Sequence, residues 1–109
     1  MHKSLASAIE NGESYFKGRA LIWEGRIMGK LSDSLPLETV ARIEEGLEIL
    51  TELDTNPDIS IGHLFGGELY AQGNQEKEAE IHLKAAEALF NEMSMDYWLK
   101  ETRKIMSRF

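Results

Sequence analysis

The chain contains 109 residues, of which 42% are hydrophobic and 28% charged, a composition typical of one globular domain rather than a disordered or membrane-embedded chain. Its formal net charge of -7 repels phosphate backbones and argues against nucleic acid as a partner. The chain has no cysteine, which excludes disulfides and thiolate metal sites, and no apolar run reaches the roughly 18 residues of a membrane span. We therefore expect a cytoplasmic protein with no membrane segment, metal or cofactor.

Apolar residues recur at intervals of three and four positions, as helices that bury one side require. Residues 4–10 are interpreted as the last turns of an earlier helix, because the Asn11-Gly12 pair that follows suits a helix C-terminus. Five helices are then predicted, over residues 14–31, 36–54, 57–72, 75–93 and 95–108.

Both prolines of the chain lie where predicted helices begin. Proline is favoured there because the first helical turn leaves its amide positions unpaired in any case. Pro36 marks one start and Pro57 another, and Asn56 is the predicted N-cap before Pro57. No sustained alternation of apolar and polar residues indicates a strand. The predicted fold class is therefore all-α.

An internal repeat organises the predicted helices. Residues 22–28 align with residues 64–70 at an offset of 42, and residues 45–50 align with residues 85–90 at an offset of 40. A period near forty residues that contains two helices is typical of an α-solenoid, in which stacked units share a core. We expect an α-α superhelix in one domain over residues 1–109. Its predicted parts are a helix remnant over 1–13, a first antiparallel pair over 14–54, a second over 57–93 and a capping helix over 95–109.

Glycines inside the predicted helices are expected to mark close approaches between helices. A glycine in a helix interior costs roughly 0.5–1 kcal/mol relative to alanine, so packing has to offset that cost. Gly25 and Gly67 occupy equivalent places in the two units and are the predicted crossing points. Gly29 and Gly62 have an alternative interpretation as markers of frayed helix ends.

Residues 63–86 resemble the tetratricopeptide repeat. The positions that match the family's spacing are a small residue and a tyrosine on the first helix, then apolar residues on the second: Gly67, Tyr70, Ala79, Leu83 and Ala86. The positions that depart from the family's pattern are His63 in place of tryptophan, Gly66 in place of leucine, Asn91 in place of proline, and Gly73, which comes one place early. The resemblance implies a helical hairpin that stacks on its neighbours.

Residues 67–99 also resemble the C-terminal repeats of large bacterial signalling proteins, which join cyclase or transcription-activator modules to an ATPase domain. This resemblance implies a regulatory or protein-interaction tail. It leaves open whether the chain is a standalone protein or the end of a longer one. No glycine-rich loop followed by Lys-Ser or Lys-Thr is present, so no phosphate-binding loop carries over.

A basic row on the first predicted helix is the candidate binding site. Arg19, Arg26 and Lys30 share one helix face by their spacing, and the resemblance puts that face in a concave groove. The expected ligand is an acidic peptide or a terminal carboxylate, which arginine can hold bidentately. The alternative is a solvated face whose charges pair with Glu13 or Glu24. The predicted peptide-binding residues are Arg19, Ile22, Arg26, Lys30, Ile61, Leu64 and Glu68.

Residues capable of acid-base chemistry are interpreted as structural. His63 and His82 lie on consecutive predicted helices and can face each other, but no catalytic or metal-binding motif accompanies them or His2. Glutamates at helical spacing on the second predicted helix are interpreted as a solvated face rather than a cation site. We therefore expect no enzymatic activity.

These observations together predict a non-enzymatic protein-protein interaction module. The alternative is a small-molecule sensor that regulates a larger signalling protein. Trp98 is the predicted cap of the open end of the stack, as solenoids require for solubility. Because residues 4–10 are interpreted as a helix without its partner, self-association into a homodimer is a further expectation.

Overall fold

The computed structural model describes the backbone of residues 5–31 and 37–108 and the side chains of residues 11–31 and 38–108. All regular structure in these ranges is α-helical, which confirms the predicted all-α fold of paired helices. The helices are α1 (Leu5–Lys30), α2 (Leu37–Glu52), α3 (Asn56–Gln72), α4 (Glu76–Glu92) and α5 (Asp96–Met106). The predicted start at Pro36 lies outside the described residues.

Helix α1 differs from the prediction at its beginning. It is one helix of 26 residues that runs through Asn11 and Gly12, so the predicted helix end there is wrong and residues 5–10 belong to α1. A Cβ atom at Gly12 would meet nothing within 4 Å, so no close contact requires this glycine. A single glycine costs a helix interior only about 1 kcal/mol, which a helix of this length absorbs.

The three turns that join α2 to α5 have the same geometry at intervals of twenty residues. Asp54, Asn74 and Ser94 adopt left-handed φ values of 55°, 61° and 56°. In each turn the next amide donates to the carbonyl five residues back, as in the Schellman motif. These hydrogen bonds run from Thr55 to Leu50 (3.3 Å), from Gln75 to Tyr70 (2.8 Å) and from Met95 to Phe90 (2.9 Å).

Two predicted turn features are corrected by this geometry. Gly73 has a φ of −89°, so the left-handed position belongs to Asn74 and the early glycine does not make the turn. The N-cap position of α3 is Thr55, not Asn56, and the Thr55 hydroxyl donates to the Asp58 carboxylate at 2.7 Å. Pro57 lies in the first turn of α3 as predicted.

Equivalent glycines bring the two helices of each pair together. A Cβ atom at Gly25 would lie 2.5 Å from Cγ1 of Ile43, and one at Gly67 would lie 2.6 Å from Cγ of Leu83. The glycines are 42 positions apart and their partners 40 positions apart, the two offsets read from the sequence. Gly25 and Gly67 are therefore helix-crossing points, as predicted.

The two pairs share one core across the contact of α3 with α1 and α2. A Cβ atom at Gly62 would lie 2.6 Å from the side-chain ends of both Ile22 and Leu47, and one at Gly29 would lie 2.9 Å from Leu69. Both glycines are buried, so their interpretation as frayed ends is wrong. The core continues to α5 through these buried apolar residues: Ile43, Leu50, Ile59, Leu64, Phe65, Ala79, Leu83, Ala86, Phe90, Leu99 and Ile105.

Helix α5 covers the end of the second pair. Leu99, Thr102 and Ile105 are its buried residues. The half-buried ring of Trp98 lies 6.2 Å from the rings of both Phe65 and Phe90, measured between centroids.

Candidate functional site

Every member of the predicted basic row forms an ion pair with an acid on α3. Arg19 lies 3.4 Å from Asp58, and Glu68 accepts both Arg26 at 3.8 Å and Lys30 at 3.3 Å. The row therefore fastens α1 to α3 instead of standing free. The sequence-based alternative expected pairing, but with Glu13 or Glu24 in place of these two acids.

The apolar members of the predicted groove have different positions. Ile22 and Leu64 are only 2% and 3% exposed and belong to the core, so neither can contact a ligand and their assignment to the groove is wrong. Ile61 is half-buried, and Glu68 is occupied by two cations. The groove prediction failed here because helix spacing alone does not say which face of α1 a neighbouring helix covers.

Arg26 is held by rings as well as by Glu68. Its guanidinium carbon lies 4.2 Å from the centroid of the Phe65 ring and 5.8 Å from that of Trp23. The two rings are edge-to-face with centroids 4.8 Å apart. A cation over an aromatic face is attracted by the ring quadrupole, so Arg26 has a defined position at the surface.

A row of apolar side chains lies on the face of α1 that points away from the protein core. Phe16 and Ile27 of α1 are 67% and 59% exposed, and Leu31, which directly follows α1 and donates its amide to the carbonyl of Ile27, is 84% exposed. Such exposure is unusual for large apolar residues in one row. Ala20 is also exposed and Trp23 is half-buried between them. These five residues, at spacings of three and four, are called the α1 stripe below.

A surface hollow of about 440 Å³ opens on the C-terminal half of the α1 stripe. Its lining consists of Trp23, Arg26, Ile27, Lys30 and Leu31. Three apolar side chains therefore form the floor and two cations form one edge. Such a surface suits an apolar group that carries a negative charge beside it.

A second hollow, of about 430 Å³, lies where the C-terminal ends of α1, α3 and α5 meet. It is lined by side chains of both charges, among them Lys30, Glu68, Glu76 and Arg108. Its mixed charge favours no class of ligand.

His63 and His82 meet, as their places on consecutive helices predicted. Their Nδ1 atoms are 2.9 Å apart, and Nε2 of His82 lies 3.3 Å from a carboxylate oxygen of Glu44. The Tyr70 ring stacks on His82 with centroids 5.4 Å apart. If His82 donates from Nε2 to Glu44, its Nδ1 accepts a hydrogen bond from the Nδ1–H of His63, so one chain of hydrogen bonds joins α3, α4 and α2.

Burial lowers the pKa of His63 from 6.5 to about 4, and the nearby charge of His82 adds to this effect. The pKa of Tyr70 is raised, first by burial and then by the charges of Glu44 and Glu78. His63 is therefore uncharged at neutral pH. The arrangement is a hydrogen-bonded group in which half-buried His63 and His82, together with Glu44, link α3, α4 and α2.

In the described part of the chain, no three His, Cys, Asp or Glu side chains come together where they could hold a metal ion. None of the described helices has the length and apolar character of a membrane span.

The fold defines an all-α protein of stacked helix pairs. No family model, no curated protein and no solved structure gives a significant match to the chain. The tetratricopeptide resemblance therefore rests on the chain's own residues.

The α1 stripe was not among the binding surfaces predicted from the sequence. A signal was present: the first predicted helix carries apolar residues on two faces, with Ile22 on one and Phe16, Trp23 and Ile27 on the other. A helix that packs against the protein on a single side requires a single apolar face. The second apolar face therefore indicated a further contact.

Proposed function

We propose that the protein is a non-enzymatic protein-protein interaction module and that the α1 stripe is its binding surface. The observation that carries this proposal is the exposure of Phe16, Ile27 and Leu31 on one face of α1, beside a hollow edged by Arg26 and Lys30. Contiguous exposed apolar residues with a polar rim are typical of sites that bind another protein.

This proposal moves the binding site from the concave groove to the outer face of α1. Two of the groove's apolar residues are in the core, and Arg19 is paired with Asp58. Arg26 and Lys30 share the single carboxylate of Glu68 and also line the hollow on the α1 stripe, so they remain in the proposed site. The residues that resemble the tetratricopeptide repeat support the same class of function. A role as a regulatory tail in bacterial signalling, in the cytoplasm, belongs to this proposal and rests on the sequence resemblance.

Peptide display on the full chain tests the proposal. A library of random peptides is selected against the immobilised protein, and the enriched peptides are measured in solution by fluorescence anisotropy. Ile27→Lys places a charge in the hollow and should weaken binding by at least about tenfold, since burial of an apolar anchor is lost. The matched control is Ile81→Lys on α4, because Ile81 is 56% exposed and lies away from α1.

Two results would contradict the proposal. One is a selection that enriches no peptide. The other is a set of enriched peptides that bind Ile27→Lys and Ile81→Lys equally well, which would place the binding surface elsewhere. Far-ultraviolet circular dichroism of both variants shows that the helices are intact.

The second candidate function, a small-molecule sensor, is favoured by the size of the hollow alone. A volume of about 440 Å³ lies in the range of small-molecule sites. A ligand with an apolar body and a carboxylate would match the lining. Calorimetric titration with a panel of metabolites separates the two functions, because tight binding of a small molecule with no peptide selected would favour the sensor.

A further inference from the structure

The internal repeat relates the exposed α1 stripe to residues of α3 that other helices cover. At the offset of 42, Ala20, Trp23 and Ile27 correspond to Gly62, Phe65 and Leu69 of α3. All three α3 residues are buried, because α1 and α2 pack over them. In the second unit, therefore, this face is a surface on which helices pack.

The charge along the stripe is uneven. On the edge toward α3, the single carboxylate of Glu68 serves both Arg26 and Lys30, which leaves one net positive charge there. On the edge toward α2, Arg42 pairs with both Glu24 and Glu38, and Lys17 pairs with Glu45 at 3.8 Å, so these pairs leave one net negative charge there. The described ion pairs thus leave the excess positive charge on one side of the apolar row only.

We propose that the α1 stripe binds an amphipathic α-helix of a partner protein that carries acidic residues along one edge of its apolar face. The inference rests on the proposed function and names the partner's chemistry. The apolar face of the partner helix packs against Trp23, Ile27 and Leu31. Its acidic edge lies along Arg26 and Lys30, where it shares their charge with Glu68.

The geometry of α1 suits this occupant. Ala20 is the smallest residue of the stripe, and small residues allow two helix axes to approach closely, as Gly62 allows in the equivalent contact. Arg26 is already ordered by the rings of Phe65 and Trp23, so a partner carboxylate would meet a cation that needs little further ordering.

Two synthetic helical peptides of about five turns provide the probe. Both have the same leucine face; the first carries glutamate and the second lysine along the edge that meets Arg26 and Lys30. Fluorescence anisotropy with the full chain should show the glutamate peptide binding at least about tenfold more tightly at low salt. The preference should shrink as salt is added, because exposed charges are screened.

Variants locate the preference on α1. Lys30→Glu should remove or reverse it, whereas the control Lys84→Glu should preserve it, since Lys84 is also an exposed lysine paired with a glutamate but lies on α4. Ile27→Lys should weaken both peptides, and Ile81→Lys should weaken neither. Circular dichroism again establishes that each variant is folded.

The outcomes separate this inference from the proposed function. If display-selected peptides bind the α1 stripe but the two probes bind equally, the acidic-helix inference is wrong while the interaction module stands. If no peptide of any kind binds, the proposed function falls as well. If the chain alone forms a dimer in sedimentation experiments and Ile27→Lys abolishes it, the occupant is a second copy and the partner-helix inference is overturned.

Discussion

His63 and His82 are half-buried polar side chains that satisfy each other's hydrogen bonding between α3 and α4. The two rings contact each other through their Nδ1 atoms, and Nε2 of His82 contacts the carboxylate of Glu44. Tyr70 covers His82 from one side and contacts Glu44 through its hydroxyl at 3.5 Å. The contact between the two Nδ1 atoms requires that only one of them carries a proton, because two protonated Nδ1 atoms would both be donors.

The first prediction concerns acid stability. The pKa of His63 is about 4 in the folded protein and 6.5 in its ordinary state, so the unfolded chain binds more protons between these values. The contribution of His63 to the free energy of unfolding should therefore be fully present above pH 6.5 and be lost as the pH falls toward 4. The loss from this group should amount to about 1–3 kcal/mol, reduced from the full linkage value because His63 is only half-buried.

Urea unfolding at several pH values measures this loss. His63→Gln should flatten the curve between pH 4 and 6.5. Equal pH dependence in the wild type and in His63→Gln would show that the histidine pair is not its source.

At the scale of the element, the left-handed turns are the most repetitive feature of the chain. A left-handed φ costs an ordinary residue about 1 kcal/mol, less for Asn and Asp, and nothing for glycine. Ser94 has a φ of 56° and the least suitable side chain of the three. Ser94→Gly should stabilise the protein by up to about 1 kcal/mol and Ser94→Val should destabilise it by about 1–2 kcal/mol. Chemical denaturation checks both, and equal midpoints for the two variants would contradict the assigned turn.

Trp98 gives a prediction for α5. Its half-buried ring contacts the rings of Phe65 and Phe90, so Trp98→Ala should remove packing that fixes α5 on the second pair. We expect a loss of about 2–4 kcal/mol, below or within the range of fully buried aromatic truncations. Tyr97→Ala is the comparison: its ring lies 5.2 Å from that of Trp98 but is 67% exposed, so this change should cost less than about 1 kcal/mol. A loss under about 0.5 kcal/mol for Trp98→Ala would identify an exposed contact instead.

The elements differ in how far the sequence could predict them. Helices α2 to α5 begin and end close to their predicted limits, because proline, turn residues and apolar spacing agree there. The break at Asn11-Gly12 was wrong because a local C-terminal signal was weaker than the tendency of a long helix to continue. The pairing of Gly25 with Ile43 followed from the repeat, since equivalent positions make equivalent contacts.

The binding surface was harder to predict for a physical reason. Ile22 and Ile27 are chemically alike and five positions apart, yet one is buried and the other exposed. Tertiary contacts distinguish them, because Ile22 packs against Gly46 of α2 and Gly62 of α3, which are far from it in the chain. The ion pairs of Arg19 and Lys30 depend in the same way on which face of α3 turns toward α1.

For the whole molecule, the stacking of two pairs raises the question of how strongly they are coupled. In a helical repeat each unit contacts only its neighbours, so cooperativity depends on the interface between units. Here that interface includes Gly62, whose missing side chain lets Ile22 and Leu47 reach α3. Both partners are buried and have no free space to move into.

The last prediction uses Gly62 to uncouple the halves. The chain has two tryptophans, Trp23 on α1 and Trp98 on α5, so Trp98→Phe and Trp23→Phe produce proteins whose fluorescence reports one half each. In these proteins the two urea transitions should coincide, as a single cooperative unit requires.

Adding Gly62→Val should force the packed side chains apart at a cost of about 1–3 kcal/mol. The Trp23 transition should then precede that of Trp98, because α5 still covers the second pair. Gly12→Val, a position with nothing within 4 Å, should leave the transitions coincident, and coincidence in the Gly62→Val proteins as well would mean that this contact does not couple the two pairs.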